Sequence, residues 1–166
     1  MTMSTRMAVM DAGRLAQIGT PAEVYEYPNN RFVARFIGDV NLFEAQVLAA
    51  TADRTRLFSA EAGCGLEVAQ GSPAPEGAWC WVAVRPEKMT LSKAPSDGDP
   101  TVNCAQGVVR EIAYTGDLSI YQVLLDTGTV VRVTAPNLTR RTEMPITWDD
   151  RVWVGWPAHA GVVLVQ

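Results

Sequence analysis

At 166 residues, 48% of them hydrophobic and 19% charged, the chain is long enough to bury a core and too apolar to be disordered. A net charge of −4 and a pI near 5.0 argue against general affinity for phosphate backbones. No apolar run approaches the roughly 18 residues that span a bilayer, and the opening MTMSTRMAVM lacks the charged and apolar regions of an export signal.

The first strand signal is the apolar run Met7–Met10, followed by a turn at Asp11-Ala12-Gly13 and a second run Leu15–Ile18. That pattern predicts a hairpin with glycine where positive φ is needed. Thr20-Pro21-Ala22-Glu23 then reads as a helix start. Thr20 can accept from an orphan amide, Pro21 loses nothing at N1, and Glu23 completes a capping box. Pro28 biases Tyr27 away from helical geometry, so this helix is short. Asn29 or Asn30 can cap a second helix, whose Phe32, Val33, Phe36 and Ile37 share one apolar face and which Gly38 ends. The Phe32/Phe36 face needs a cover: the β region, another copy, or a domain outside this chain.

From about residue 40 the chain is strand-like almost throughout. Expected strands are Leu42–Leu48, Arg56–Ser59, Leu66–Ala69, Cys80–Arg85, Lys88–Ser92, Ala105–Tyr114, Ser119–Leu125, Val130–Thr134, Arg151–Gly155 and Val162–Val165. Asp126-Thr127-Gly128 is a hairpin turn between two alternating runs, and Ser92–Asn103 reads as a linker. Many short strands joined by such turns indicate small barrels or a sandwich. No repeat of fixed period is visible.

Few residues suggest chemistry. Cys64, Cys80 and Cys104 are odd in number and far apart in sequence, without C-x-x-C spacing, and read as reduced thiols. Asp149-Asp150, before a strand, reads as a turn pair more readily than as an acid–base dyad. His159 has no neighbouring acid or thiol motif and makes no metal site. Arg140-Arg141 reads as a solvated loop pair. Trp79 and Trp81 bracket Cys80 and point to the opposite face of their strand. With Trp148, Trp153 and Trp156 they could form a base-stacking surface, but such a surface needs a basic groove; core packing and subunit contact fit the charge better. Arg85 and Glu87 flank Pro86 after an apolar strand, either as a lobe-contact or partner-facing pair or as a solvated strand end.

The order RMAVMDAGRLAQIGTPAEVYEYPNNRFVARFIGDVN resembles the last part of an ABC-transporter ATPase domain running into its C-terminal extension. Val84-Arg85-Pro86-Glu87 resembles that family's VRPE segment, Tyr114-Thr115-Gly116 its Y-x-G turn, and Trp156–Leu164 (WPAHAGVVL) its closing segment. Together these resemble the TOBE module, an OB-like barrel at the C-terminus of importer ATPases. FIGDVN and WPAHAG lean towards the polyamine (spermidine/putrescine) importer group. The resemblance implies a mainly β fold, with OB-like/TOBE barrel lobes preceded by a short β-hairpin and two short helices. It implies residues 1–38 as the end of an ATPase domain and 39–166 as a regulatory β domain.

No G-x-x-x-x-G-K-[ST] loop, LSGGQ-type signature or Asp-Glu-ended apolar strand is present, so this chain is expected not to be an enzyme. The chain reads as a C-terminal piece, without cofactor or metal, of a parent that uses ATP and Mg. The resemblance further implies a homodimer contacting the parent's ATPase domain and membrane permease subunits, at the cytoplasmic face of the plasma membrane, with a small-molecule effector and without nucleic acid. Partner or effector candidates are Arg85, Glu87, Tyr114, Gly116, Asn137, Trp153 and Trp156; junction-packing candidates are Thr20, Pro21, Glu23, Phe32 and Phe36. The alternative is a binding module that senses an oxyanion or a polyamine directly, the latter through carboxylates such as Asp117, Asp126 and Glu143 with aromatic faces.

Overall fold

A computed structural model describes residues 3–95, 98–137 and 146–165. The hairpin is β1 (Met7–Asp11) and β2 (Arg14–Gly19), turned by Ala12 and Gly13 at φ 47° and 80°. Both central residues are left-handed, the geometry that matches a two-residue loop to the strand twist. Helix α1 (Pro21–Glu26) carries the full reciprocal capping box between Thr20 and Glu23, and ends at Tyr27 before Pro28. Gln17 spans the proline, donating to the Tyr27 carbonyl at 2.9 Å and accepting from the Asn29 amide at 2.8 Å. Asn30 caps α2 (Arg31–Ile37), its Oδ1 accepting from Val33 N at 2.9 Å. Gly38 ends that helix in extended rather than left-handed backbone.

Ten strands follow in two antiparallel sheets. The first sheet holds β3 (Asn41–Ala50), β4 (Thr55–Ser59), β5 (Cys64–Val68) and β6 (Trp79–Val84). The second holds β7 (Thr90–Ser92), β8 (Val102–Tyr114), β9 (Leu118–Leu125), β10 (Val130–Pro136) and β11 (Arg151–Pro157). β12 (Gly161–Leu164) returns to the first sheet, giving the orders β12-β6-β3-β4-β5 and β10-β9-β8-β11-β7. Each expected strand is present. Of Lys88–Ser92 only Thr90–Ser92 is strand, because Pro86–Lys88 winds into a single 3₁₀ turn.

Read from its edge strand, the second sheet repeats the first. The strand after each 3₁₀ turn crosses to the other sheet: β7 joins β11, and β12 joins β6. The match extends to detail. Register breaks after Val47 in β3 and after Val109 in β8. Val47 exchanges backbone bonds with Gly77 and Ala78, and Val109 with Asp149 and Asp150. Gly77 and Asp149 both take positive φ there. An internal duplication is therefore present where the sequence shows no periodic repeat. Hairpins of unequal length and diverged side chains hide it, while backbone pairing preserves it.

Both sheets close on one core, running from Phe43, Leu57 and Val82 through Val109, Val123 and Val154. Phe43 and Trp156 stack across it with centroids 5.4 Å apart and planes 2° apart. Two buried asparagines sew the sheets together. Asn41 at the start of β3 accepts from Arg132 N and donates to Arg132 O, both at 2.8 Å. Asn103 near the start of β8 does the same to Glu67, at 2.7 and 2.9 Å. Each clamp satisfies the open edge of the opposite sheet, a row of groups that would otherwise invite pairing with another chain.

Candidate functional site: the junction between the helices and the sheets

The hairpin and helices form their own small apolar cluster around Val9, Val24 and Val33. A second cluster, Ala34 of α2 with Ala83 of β6 and Leu164 of β12, attaches them to the first sheet. So α2 buries Val33 and Ala34. Phe32 and Phe36 face outward at 38% and 64% exposure, stacked on each other at 5.7 Å. The stripe Phe32, Val33, Phe36 and Ile37 reads in sequence as one apolar face, yet of these only Val33 is fully buried, with Ile37 partly buried against the same cluster. The helix sits between two bodies, and the docked side is the Val33/Ala34 side.

Polar chemistry at the junction converges on Arg85, which is 5% exposed. Strand β6 delivers it and the Pro86 turn aims it under the helices. Nη1 donates to the carbonyls of Ala34, Gly38 and Asp39 at 2.9, 3.1 and 3.0 Å. Nη2 donates to Tyr25 O at 3.2 Å, and the guanidinium lies 4.3 Å from the Tyr25 ring centroid. The planar fork suits this cage: Nη1 serves the carbonyls at and just past the end of α2, where backbone acceptors are unsatisfied, while Nη2 reaches α1. Around it, Tyr25 donates its hydroxyl to Glu87, and Lys88 pairs with Glu26. Burial pushes the Tyr25 phenol up to about 12, reinforced by its hydrogen bond to the Glu87 carboxylate. At the start of α2 the Arg31 guanidinium sits 3.7 Å from the Trp81 ring centroid.

The remaining sequence candidates occupy other places. Tyr114, Gly116 and Asn137 meet at the β8–β9 hairpin. There Asn137 accepts from Ser119 Oγ at 2.6 Å and donates to Gly116 O at 3.0 Å, and Tyr114 meets Trp148 edge-on at 6.4 Å. Trp153 lies half-buried on β11. Trp156 lies in the core at 1% exposure, stacked on Phe43, so it is unavailable as an interface residue. The spacing Trp153/Trp156 puts the two on opposite faces of β11, which periodicity of two already implies. Arg140-Arg141 and Glu143 lie outside the described residues.

Asp149 and Asp150 form no dyad. Asp149 pairs with Arg110 at 3.3 Å; Asp150 accepts from Thr147 N at 2.8 Å and pairs with Lys93 at 3.1 Å. Those contacts, the Thr147 amide foremost, hold the Asp150 carboxyl below its ordinary range. His159 is exposed in the 3₁₀ turn Ala158–Ala160. Among the described residues no group of three or more His, Cys, Asp or Glu side chains could hold a metal ion. One amide at each helix start is already capped, Glu23 N by Thr20 and Val33 N by Asn30. Among the described residues no helix is long and apolar enough to cross a membrane.

Sequence reasoning missed Tyr25, Arg31 and Trp81 as junction residues, and Asn41 and Asn103 as clamps. Asparagine at a strand start, in phase with buried positions, was the available signal for the last two, because strands rarely bury it without a partner.

Comparison with known proteins places these features in company. The TOBE domain family model matches residues 82–164. Over 99% of its length the chain is 38% identical to the putrescine transport ATP-binding protein PotG of Escherichia coli K12, covering 43% of that protein. It is 40% identical over 100% of its length to the spermidine/putrescine import ATP-binding protein PotA of Acidothermus cellulolyticus, covering 42% of it. The chain thus spans less than half the length of these curated relatives. Among solved structures, the molybdate-bound form of the cytoplasmic molybdate-binding protein ModG superposes with a TM-score of 0.65 at 15% identity. That match covers 76% of this chain and 96% of ModG. At that identity the likeness concerns the fold, an OB-like one.

Proposed function

The chain belongs to the TOBE-domain family, and from that premise we propose that it is the non-catalytic regulatory and dimerisation region of the ATP-binding subunit of an ABC importer, with a polyamine such as spermidine or putrescine as cargo. The observation that carries this reading is the similarity to polyamine transport ATP-binding proteins along the whole chain, helices included. In the parent protein, ATP hydrolysis belongs to the portion that this chain does not cover. The permease is the parent's partner, and the inner face of the plasma membrane is its place.

The geometry supports a mechanical role. Arg85 ties the last turn of α2 to β6, so a displacement of the helices is passed to the sheets rather than absorbed by a loose hinge. Phe32, Phe36, Met10, Leu15 and Ile18 leave apolar side chains exposed on the hairpin and α2, surface against which an ATPase body would pack. An effector would act by binding the two positions of that body with different affinity.

The test is hydrolysis and self-association of the purified chain. No MgATP turnover and a concentration-dependent dimer in sedimentation are expected; turnover by a clean preparation, or a monomer at all concentrations, overturns the reading. Calorimetry against spermidine, putrescine and molybdate addresses direct sensing, and stoichiometric heat with any of them replaces this reading by a ligand-binding module.

A further inference from the structure

The outward face of the first sheet is only partly covered. Side chains of β6 alternate, so Trp79, Trp81 and Ala83 share that face while Cys80 and Val82 enter the core. Helix α2 lies over one end of the face, where Ala34 meets Ala83 and Leu164 with Trp81 packed alongside. The other end is bare. Strand pairing sets Trp79, Gln46, Phe58 and Gly65 in a single row across β6, β3, β4 and β5. Trp79 is 60% exposed and Phe58 48%, and Leu48, at the bulge of β3 beside them, is exposed as well.

Charges of opposite sign border this row. Glu44, two residues before Gln46, lies opposite Trp81 on the side towards α2, and Glu61 accepts from the Glu44 amide at 2.6 Å. Arg31, from α2, is stacked on Trp81 there. Arg56, two residues before Phe58 on the antiparallel β4, falls on the other side of the row. Its cross-strand neighbour Glu67 has its carboxylate 3.9 Å from Arg54, so two arginines share one carboxylate. Glu44 and Arg56 themselves form no ion pair among the described residues.

We propose that a second copy of the chain docks on this row, which gives the dimer proposed for the chain its surface and rests on that reading. The two copies are related by a two-fold axis lying along the row. Such an axis turns the face over and exchanges its sides. It lays Phe58 and Trp79 against their own counterparts, and brings the Arg56 side of each copy over the Glu44 side of the other. The same free pair is therefore satisfied twice, the self-complementarity that a two-fold interface requires. An aromatic centre with a charged rim is also how protein interfaces are built.

Sedimentation of the unmutated chain gives the dimer dissociation constant. Phe58→Asp and Trp79→Asp put charge at the centre and should each raise it about tenfold or more. Glu44→Arg and Arg56→Glu set like charges opposite each other, so each should raise it about tenfold, while the double variant should return it to within about threefold of the parent. Hydroxyl-radical footprinting of the unmutated chain, below and above that concentration, should show Trp79, Phe58 and Leu48 protected on association and Phe36 unchanged; this readout does not depend on any variant folding. A dimer indifferent to Phe58→Asp and Trp79→Asp, a double reversal no better than the singles, or protection of Phe36 in place of the row overturns this surface and leaves the dimer standing. A monomer at all concentrations removes both.

Discussion

Replacing Arg85 by alanine is the sharpest test of the junction. The side chain is 5% exposed and makes four hydrogen bonds to carbonyls, all on the helices or the segment just after them. Truncation leaves carbonyls without their donor, which costs about 1–3 kcal/mol for each one that stays buried. Some of the freed carbonyls lie at the end of α2, where water can reach them, so a total of about 3 kcal/mol is expected. That corresponds to roughly a hundredfold in an opening equilibrium. The loss should be local, because the apolar cluster of Val9, Val24 and Val33 is separate from the core between the sheets. Hydrogen exchange read by mass spectrometry should therefore accelerate about a hundredfold across residues 21–39, while β8, β9 and β11 keep their protection. Arg85→Lys should recover only a minor part, since one ammonium cannot reach carbonyls arranged for a planar fork. Unchanged exchange over 21–39 in Arg85→Ala would refute the idea that this residue staples the helices to the sheets.

Asn41→Ala and Asn103→Ala should each destabilise the chain in urea by about 1–3 kcal/mol per backbone group left unpaired, and the two effects should add because the clamps share no partner. Gly107→Ala should cost about 1–3 kcal/mol by overpacking, since an added Cβ would lie 2.5 Å from Leu124 O; no change in midpoint would mean that β8 and β9 are not that close. The raised Tyr25 pKa means that the folded state holds this proton more tightly than the unfolded chain. The associated stability is complete below pH 10 and is lost as pH rises through about 12. Absorbance titration should show a late tyrosine ionisation, and Tyr25→Phe should remove that step.

The sequence by itself determined whatever depends on neighbours along the chain. The capping box at Thr20, the hairpin at Ala12-Gly13 and all ten β strands were legible because caps, turn residues and period-two alternation act over a few residues. So was the kinship of the junction segment, because its motifs are local strings. Arg85 could be singled out from its string, but not its target: four carbonyls lying 46 to 60 residues away are contacts that no local pattern encodes. Likewise, one apolar stripe on α2 could not say which half was buried; that depended on where the sheets lay. Only the tertiary structure decided that the two halves are duplicates which exchange their last strands, that Trp156 belongs to the core, and that Trp79 and Phe58 stand in one exposed row. Long-range pairing fixes these features through backbone geometry, which side-chain divergence leaves intact and sequence patterns do not record.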